Sequence, residues 1–162
     1  DAPVEVGVVG AGTGATAAKW RGFEHMRPGG LGSSVGEAGD AKVGALAVLN
    51  PIGDVFTVQG ESLTGGSAVP GPPNLVPSDL TNTTLVVLAT DAALDRVDLG
   101  RLIVRSHDAM GVCIRPAHTR YDGDAVLAVS VGDVAADRDE LGEVAFAVTA
   151  AAIENAVRAA NP

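Results

Sequence analysis

Leu80-Thr81-Asn82-Thr83-Thr84-Leu85-Val86-Val87-Leu88-Ala89-Thr90-Asp91 sets a polar tripeptide, Asn82-Thr83-Thr84, directly at the head of a β-branched apolar run. The run reads as a buried strand. Ahead of it, Gly60 to Ser78 is rich in Gly, Pro and Ser, lacks periodicity and reads as a mobile loop. A hydroxyl nucleophile needs a rigid mount, and the first residue of a buried strand provides one. It also needs a base. Were the Asn82–Thr83 bond cut, the new α-amino group of Thr83, with a reference pKa near ~8, could serve. Taken alone, Thr83 and Thr84 are equally two β-formers where a loop meets a strand.

The 162 residues fit a single domain with a sizeable core. Hydrophobic residues make up 46% but aromatics only 3%, so Ala, Val, Leu and Gly must do the packing. A formal charge of −9 argues against nucleic acid or an anionic membrane as partner. The single cysteine, Cys113, excludes an internal disulfide and suits a reducing compartment, so a cytoplasmic location is expected. No apolar run reaches the roughly 18 residues of a membrane span. The chain opens at Asp1 and runs at once into a strand-like Val4 to Val9, as if starting partway into a fold.

Moving outward towards the N-terminus, Gly10, Gly12 and Ala15 satisfy the dinucleotide fingerprint G-x-G-x-x-[GA]. That fingerprint requires a helix next and then a strand ending in an acidic residue. Instead, Gly29 to Asp40 is glycine-rich and reads as strandless, and the following apolar run, Val43 to Leu49, ends at Asn50. A dinucleotide-binding module is therefore the remote alternative, and no cofactor is expected. Gly32-Ser33-Ser34-Val35-Gly36 fits the serine-hydrolase elbow but lacks the flanking strand and helix, so it reads as a loop. Val43 to Leu49 reads as a central strand, with Val55 to Val58 returning beside it as a hairpin. Asn50, at the strand tip, is a turn residue or an amide aimed at an oxyanion. Lys19 lies among Ala17, Ala18 and Trp20; buried there, its pKa would fall.

Towards the C-terminus, Asp95 is a candidate N-cap for a helix whose stripe is Leu99, Leu102, Ile103, Ser106, Ala109, Met110 and Cys113. Ile114-Arg115-Pro116 ends it. Asp122-Gly123-Asp124 precedes a further strand, Ala125 to Val131; locally extended, the two carboxylates would point the same way, whereas an Asp-Gly turn would separate them. His25, His107, His118 and Cys113 lack ligand spacing, so no metal is expected. A last helix, Asp137 to about Ala160 and capped by Asp137 or Asp139, is apolar on more than one side and reads as sandwiched between a sheet and a neighbouring helix or subunit.

Five stretches, in this order, resemble the self-processing L-aminopeptidase/D-Ala-esterase-amidase family, nearest its nylon-oligomer (6-aminohexanoate oligomer) endohydrolase branch and actinobacterial relatives. They are Gly10 to Thr16 with Lys19; Val43 to Pro51; Asn82-Thr83-Thr84; Ala89 to Ala92; and Ile114 to Thr119 leading to Asp122-Gly123-Asp124. The resemblance implies an α/β (α+β) four-layer αββα sandwich of N-terminal-nucleophile-hydrolase type, here without the N-terminal part of the family fold. That part would lie outside these residues or on another polypeptide. It implies self-cleavage between Asn82 and Thr83, leaving 1–82 as part of an α chain and 83–162 as a β chain, with 60–82 as the mobile loop before the cut. By the same carry-over Thr83 is the nucleophile, Lys19, Asp122 and Asp124 position and tune it, and Asn50 supplies an oxyanion donor. The expected function is an autoprocessing amidohydrolase for aminohexanoate oligomers or short peptides, within a homo-oligomer. The alternatives are an aminopeptidase releasing small N-terminal residues and a catalytically silent assembly subunit.

Overall fold

The computed structural model describes residues 4–74 and 82–162. Its centre is a four-stranded sheet in the order β3-β4-β6-β8, built from β3 (Gly30–Ala38), β4 (Ala41–Asn50), β6 (Thr83–Ala92) and β8 (Ala125–Val134). β4 runs antiparallel to both β3 and β6, and β8 lies parallel to β6. The parallel pair needs a crossover, and helix α1 (Arg96–Cys113) supplies it. Helix α2 (Arg138–Ala160) follows β8. Two short pairs flank the sheet, β1 (Thr16–Ala17) with β2 (Arg27–Pro28) and β5 (Asp54–Val55) with β7 (Ile114–Arg115), together with isolated bridges that include one between Gly7 and Leu31.

Alternation along the strands decides which face is covered. Val43, Ala45, Ala47 and Leu49 of β4 and Val86 and Leu88 of β6 point inward and are buried. They meet Leu102, Ala109, Met110 and Cys113 of α1 and Leu141, Ala145, Ala152, Ile153 and Ala156 of α2. Asp95 and Asp137 cap the helices through their carboxylates, as two backbone N–H groups donate to each. The opposite face carries Val35, Leu85, Val87, Leu127, Val129 and Val131, all exposed. The chain thus contributes one sheet and one helical layer of the four expected.

Three sequence expectations are corrected. Gly29 to Asp40 is not strandless: it holds β3 and pairs with β4 from Gly30↔Leu49 to Ala38↔Ala41. Its glycines read as loop residues in sequence, yet Gly32 lies so close beneath α2 that a Cβ would overlap the carbonyl oxygen of Ala152. The expected hairpin return at Val55 to Val58 shrinks to Asp54–Val55, which pairs with β7, because both edges of β4 are already taken by β3 and β6. Val4 to Val9 forms only the bridge at Gly7. After it, Gly10–Gly12 is a 3-10 turn with no α-helix behind it, and Gly12 is pressed onto the backbone of Gly30 and Leu31. The glycine fingerprint is thereby a packing motif.

The stretch read as a mobile loop falls into two parts. Residues 75–81 lie outside the described residues. The earlier part, irregular as its composition implies, is fastened: the Trp20 indole N–H donates to Gly71 O (2.8 Å) and Asn74 N–H to Trp20 O (3.0 Å).

Candidate active site

Asn50 and Thr83 are cross-strand partners at one end of the β4–β6 ladder, so the tip asparagine and the first threonine lie side by side. Asn50 Oδ1 accepts from the Lys19 ammonium (3.0 Å) and from the Thr16 backbone N–H (3.0 Å). Lys19 is held in turn by its neighbours: Ala18 N–H donates to Gly53 O and Trp20 N–H to Ile52 O, both at 2.8 Å. Ala18 sits at a φ of 63°, a left-handed conformation that alanine adopts only under tertiary constraint. The constraint is visible next door, where Arg21 forks onto the buried Asp54 carboxylate (2.9 and 2.8 Å) and Thr64 Oγ1 donates to the same group (2.8 Å).

Lys19 is only 4% exposed. Burial lowers its pKa from 10.5 to about 8, the negative charge of Asp122 opposing part of that fall. The lysine can therefore lose its proton within reach of neutral pH. The buried Cys113 thiol behaves oppositely: burial pushes it up to about 12, leaving it inert.

At Thr83 the geometry is close. Its Oγ1 donates to the carbonyl oxygen of the preceding residue, Asn82 (2.6 Å), and the Gly123 backbone N–H donates to the same oxygen (2.8 Å). Asn82 and Asp122 form a parallel bridge that brings the Asp-Gly-Asp segment alongside. The turn falls before the pair, at Arg120–Tyr121, and Asp122 itself is in the bridge, so the Asp-Gly turn weighed in sequence does not form; the two carboxylates take different partners. Asp122 accepts from Ile52 N–H (3.1 Å) and Thr119 Oγ1 (2.6 Å); Asp124 accepts from Thr84 N–H (2.8 Å) and His118 Nδ1 (2.8 Å). One carboxylate steadies the loop after Asn50, and the other steadies the residue after Thr83.

The five residues singled out in sequence thus lie in one connected cluster with the Asn82–Thr83 bond in its midst. Sequence reasoning missed Thr16, the Gly123 amide and His118, whose Nε2 also meets His107 Nδ1 (3.3 Å). Each had a signal in its setting: Thr16 and His118 lie within the stretches that carry the resemblance, and Gly123 lies between two aspartates. A cleft of about 260 Å³ opens beside the cluster, lined by Ala11, Thr13, Gly14, Ala15, Val48, Asn50, Thr83 and Leu85, with no charged side chain. Among the described residues no three His, Cys, Asp or Glu side chains are grouped to hold a metal ion, and no helix is long and apolar enough to cross a membrane.

The family model described as peptidase family S58 matches residues 1–162. The chain belongs to peptidase family S58. It is similar to an uncharacterized aminopeptidase of Mycobacterium leprae, at 35% identity over 84% of this chain and 40% of the relative. It is also similar to a 6-aminohexanoate-oligomer endohydrolase of Agromyces sp., at 27% identity over 79% of this chain and 40% of the relative. Among solved structures, the L-aminopeptidase D-Ala-esterase/amidase of Ochrobactrum anthropi, whose fold is a variant of the Ntn-hydrolase fold, superposes with a TM-score of 0.67. That match has 26% identity and covers 98% of this chain and 46% of that one. The Burkholderia sp. β-aminopeptidase gives 0.65 at 25% identity, covering 95% and 46%. The chain spans less than half the length of these S58 relatives.

Proposed function

We propose that the protein carrying this chain is an autoprocessing N-terminal-threonine amidohydrolase. The observation that carries the reading is the Thr83 hydroxyl, 2.6 Å from the carbonyl oxygen of its own preceding peptide and fixed on the first residue of an inner strand. Thr83 Oγ attacks the Asn82 carbonyl carbon. Its proton passes by way of Lys19, whose amine is made available by burial, to the departing Thr83 nitrogen. The C–N bond breaks, an ester forms, and water hydrolyses it to the Asn82 carboxylate and a free hydroxyl. Thereafter the α-amine of Thr83 takes the hydroxyl proton directly or through water, and Thr83 Oγ attacks an amide substrate. Asn50 Nδ2 stabilises the oxyanion, a role worth about 3–4 kcal/mol in comparable sites. Asp122 and Asp124 hold the frame through the hydrogen bonds described above.

The uncharged cleft sets Ala11, Ala15, Val48 and Leu85 beside the polar Thr13, Asn50 and Thr83, and so suits a short uncharged chain that carries an amide, such as a unit of an aminohexanoate oligomer. A second reading, release of small N-terminal residues, is favoured by the higher identity to the mycobacterial relatives named as aminopeptidases. Intact mass is the test: the wild type should give two pieces split between Asn82 and Thr83, and Thr83→Ala a single uncut chain. Two fragments from Thr83→Ala would refute the mechanism. Parallel assays on an aminoacyl anilide and a linear aminohexanoate oligomer separate the two substrates.

A further inference from the structure

We infer that the backbone N–H of Gly123 is the oxyanion donor of the self-cleavage step; the inference rests on the autoprocessing reading above and assigns that reaction a group which the five site residues do not include. An oxyanion donor must stand within about 2.7–3.1 Å of the oxygen that gains charge. In self-cleavage that oxygen is the Asn82 carbonyl, and the Gly123 N–H already lies 2.8 Å from it. The second donor to this oxygen is the Thr83 hydroxyl itself. When Oγ attacks, it loses its proton and becomes bonded to the carbonyl carbon, so it withdraws from that role as negative charge grows. The Gly123 amide stays, since it lies between the Asn82–Asp122 bridge and the first β6–β8 pair, Leu85↔Ala125.

The residue type fits the task. A Cβ at position 123 would stand 2.9 Å from Thr83 Oγ1 and 3.7 Å from Asn82 O. A side chain would crowd the attacking oxygen, whereas glycine lets the amide approach carbonyl and hydroxyl together. The flanking aspartates keep this short segment in place from both sides: Asp122 is tied to Ile52 and Thr119, and Asp124 to Thr84 and His118. The Asp-Gly-Asp run thereby serves as a clamped amide between two anchors. The electron pair of the scissile carbonyl moves onto its oxygen, shares the Gly123 proton without taking it, and returns as the C–N bond breaks.

The test is an amide-to-ester replacement at position 123, with glycolic acid in place of Gly123, in the intact protein. This removes one N–H and adds no side chain. Self-cleavage should slow by about 100-fold or more, with circular dichroism unchanged. A folded ester variant that processes within threefold of the wild type overturns the inference while leaving autoprocessing intact. A wild type that never cleaves overturns both. Should the ester variant not fold, a trans-hydrogen-bond NMR coupling between Gly123 nitrogen and Asn82 carbonyl carbon in uncut Thr83→Val decides instead. There the competing hydroxyl is gone, so a resolved coupling supports the assignment and its absence overturns it.

Discussion

Replacing Lys19 by methionine separates what the fold gains from what the chemistry needs. The native ammonium is buried, so its pKa drops from 10.5 to about 8, a gap that corresponds to about 3 kcal/mol. Between those two values the unfolded chain binds more protons than the native one, so stability rises with pH across the window. Below pH 8 the full cost of a buried ammonium is present, and above 10.5 none of it remains. Methionine keeps the length of the aliphatic stem and has no charge to desolvate, but it gives up the hydrogen bond to Asn50 Oδ1. A hydrogen bond to a charged donor is worth about 1.5–3 kcal/mol, so the net gain at pH 7 is of order 1 kcal/mol. At pH 10 it should shrink to zero or reverse. The comparison belongs in a Thr83→Ala background, where both proteins stay uncut, with urea denaturation at pH 7 and 10. In the otherwise wild-type chain, Lys19→Met should abolish self-cleavage. A variant that is less stable at pH 7 than at pH 10, relative to its parent, reverses the predicted sign and refutes the burial argument. Near-normal cleavage would remove Lys19 from the reaction.

Two further substitutions probe the scaffold in the same uncut background. Thr84 is fully buried, and its Oγ1 finds no partner among the described residues, so Thr84→Val should stabilise by about 1–2 kcal/mol, a rise of ~2–8 °C in thermal midpoint; a lower midpoint would mean that the hydroxyl is bonded after all. Gly32→Ala would drive a Cβ into Ala152 O and to 2.6 Å from Ala156 N, atoms of the α2 backbone, and should cost about 1–3 kcal/mol or more. Gly44→Ala, which meets nothing closer than 3.8 Å, is its neutral control in thermal melts.

How far the chain could be read without coordinates depended on periodicity. The helices were legible almost down to their caps, since Asp95 and the pair Asp137 and Asp139, of which Asp137 is the cap, precede apolar stripes at helical spacing, and β4, β6 and β8 were legible as apolar runs. β3 was not, because a strand whose inner face is glycine carries no hydrophobic alternation. The clustering of Lys19, Asn50, Thr83, Asp122 and Asp124 came from a resemblance, not from spacing: Lys19 and Asp124 are 105 positions apart, and the residues meet only through strand pairing and long-range hydrogen bonds. The directions of the two aspartates were open in the sequence, because local extension and an Asp-Gly turn differ by backbone angles that composition does not fix. Thr16 and His118 lie within the stretches that carry the resemblance, but their contacts were not legible: Thr16 N–H meets Asn50 on a distant strand, and His118 meets Asp124 through a loop path that spacing does not fix.

Chain ends ordinarily fray, because their last residues are paired on at most one side. Severing the Asn82–Thr83 bond would create an end of a different kind. Strand β6 lies between β4 and β8, and the ladder with β4 runs unbroken from Thr90 back to Thr83 itself. The newborn terminus would be gripped from its first residue, and the two polypeptides would stay knitted by the same pairing. A reactive amine would then keep its aim without any separate device to anchor it.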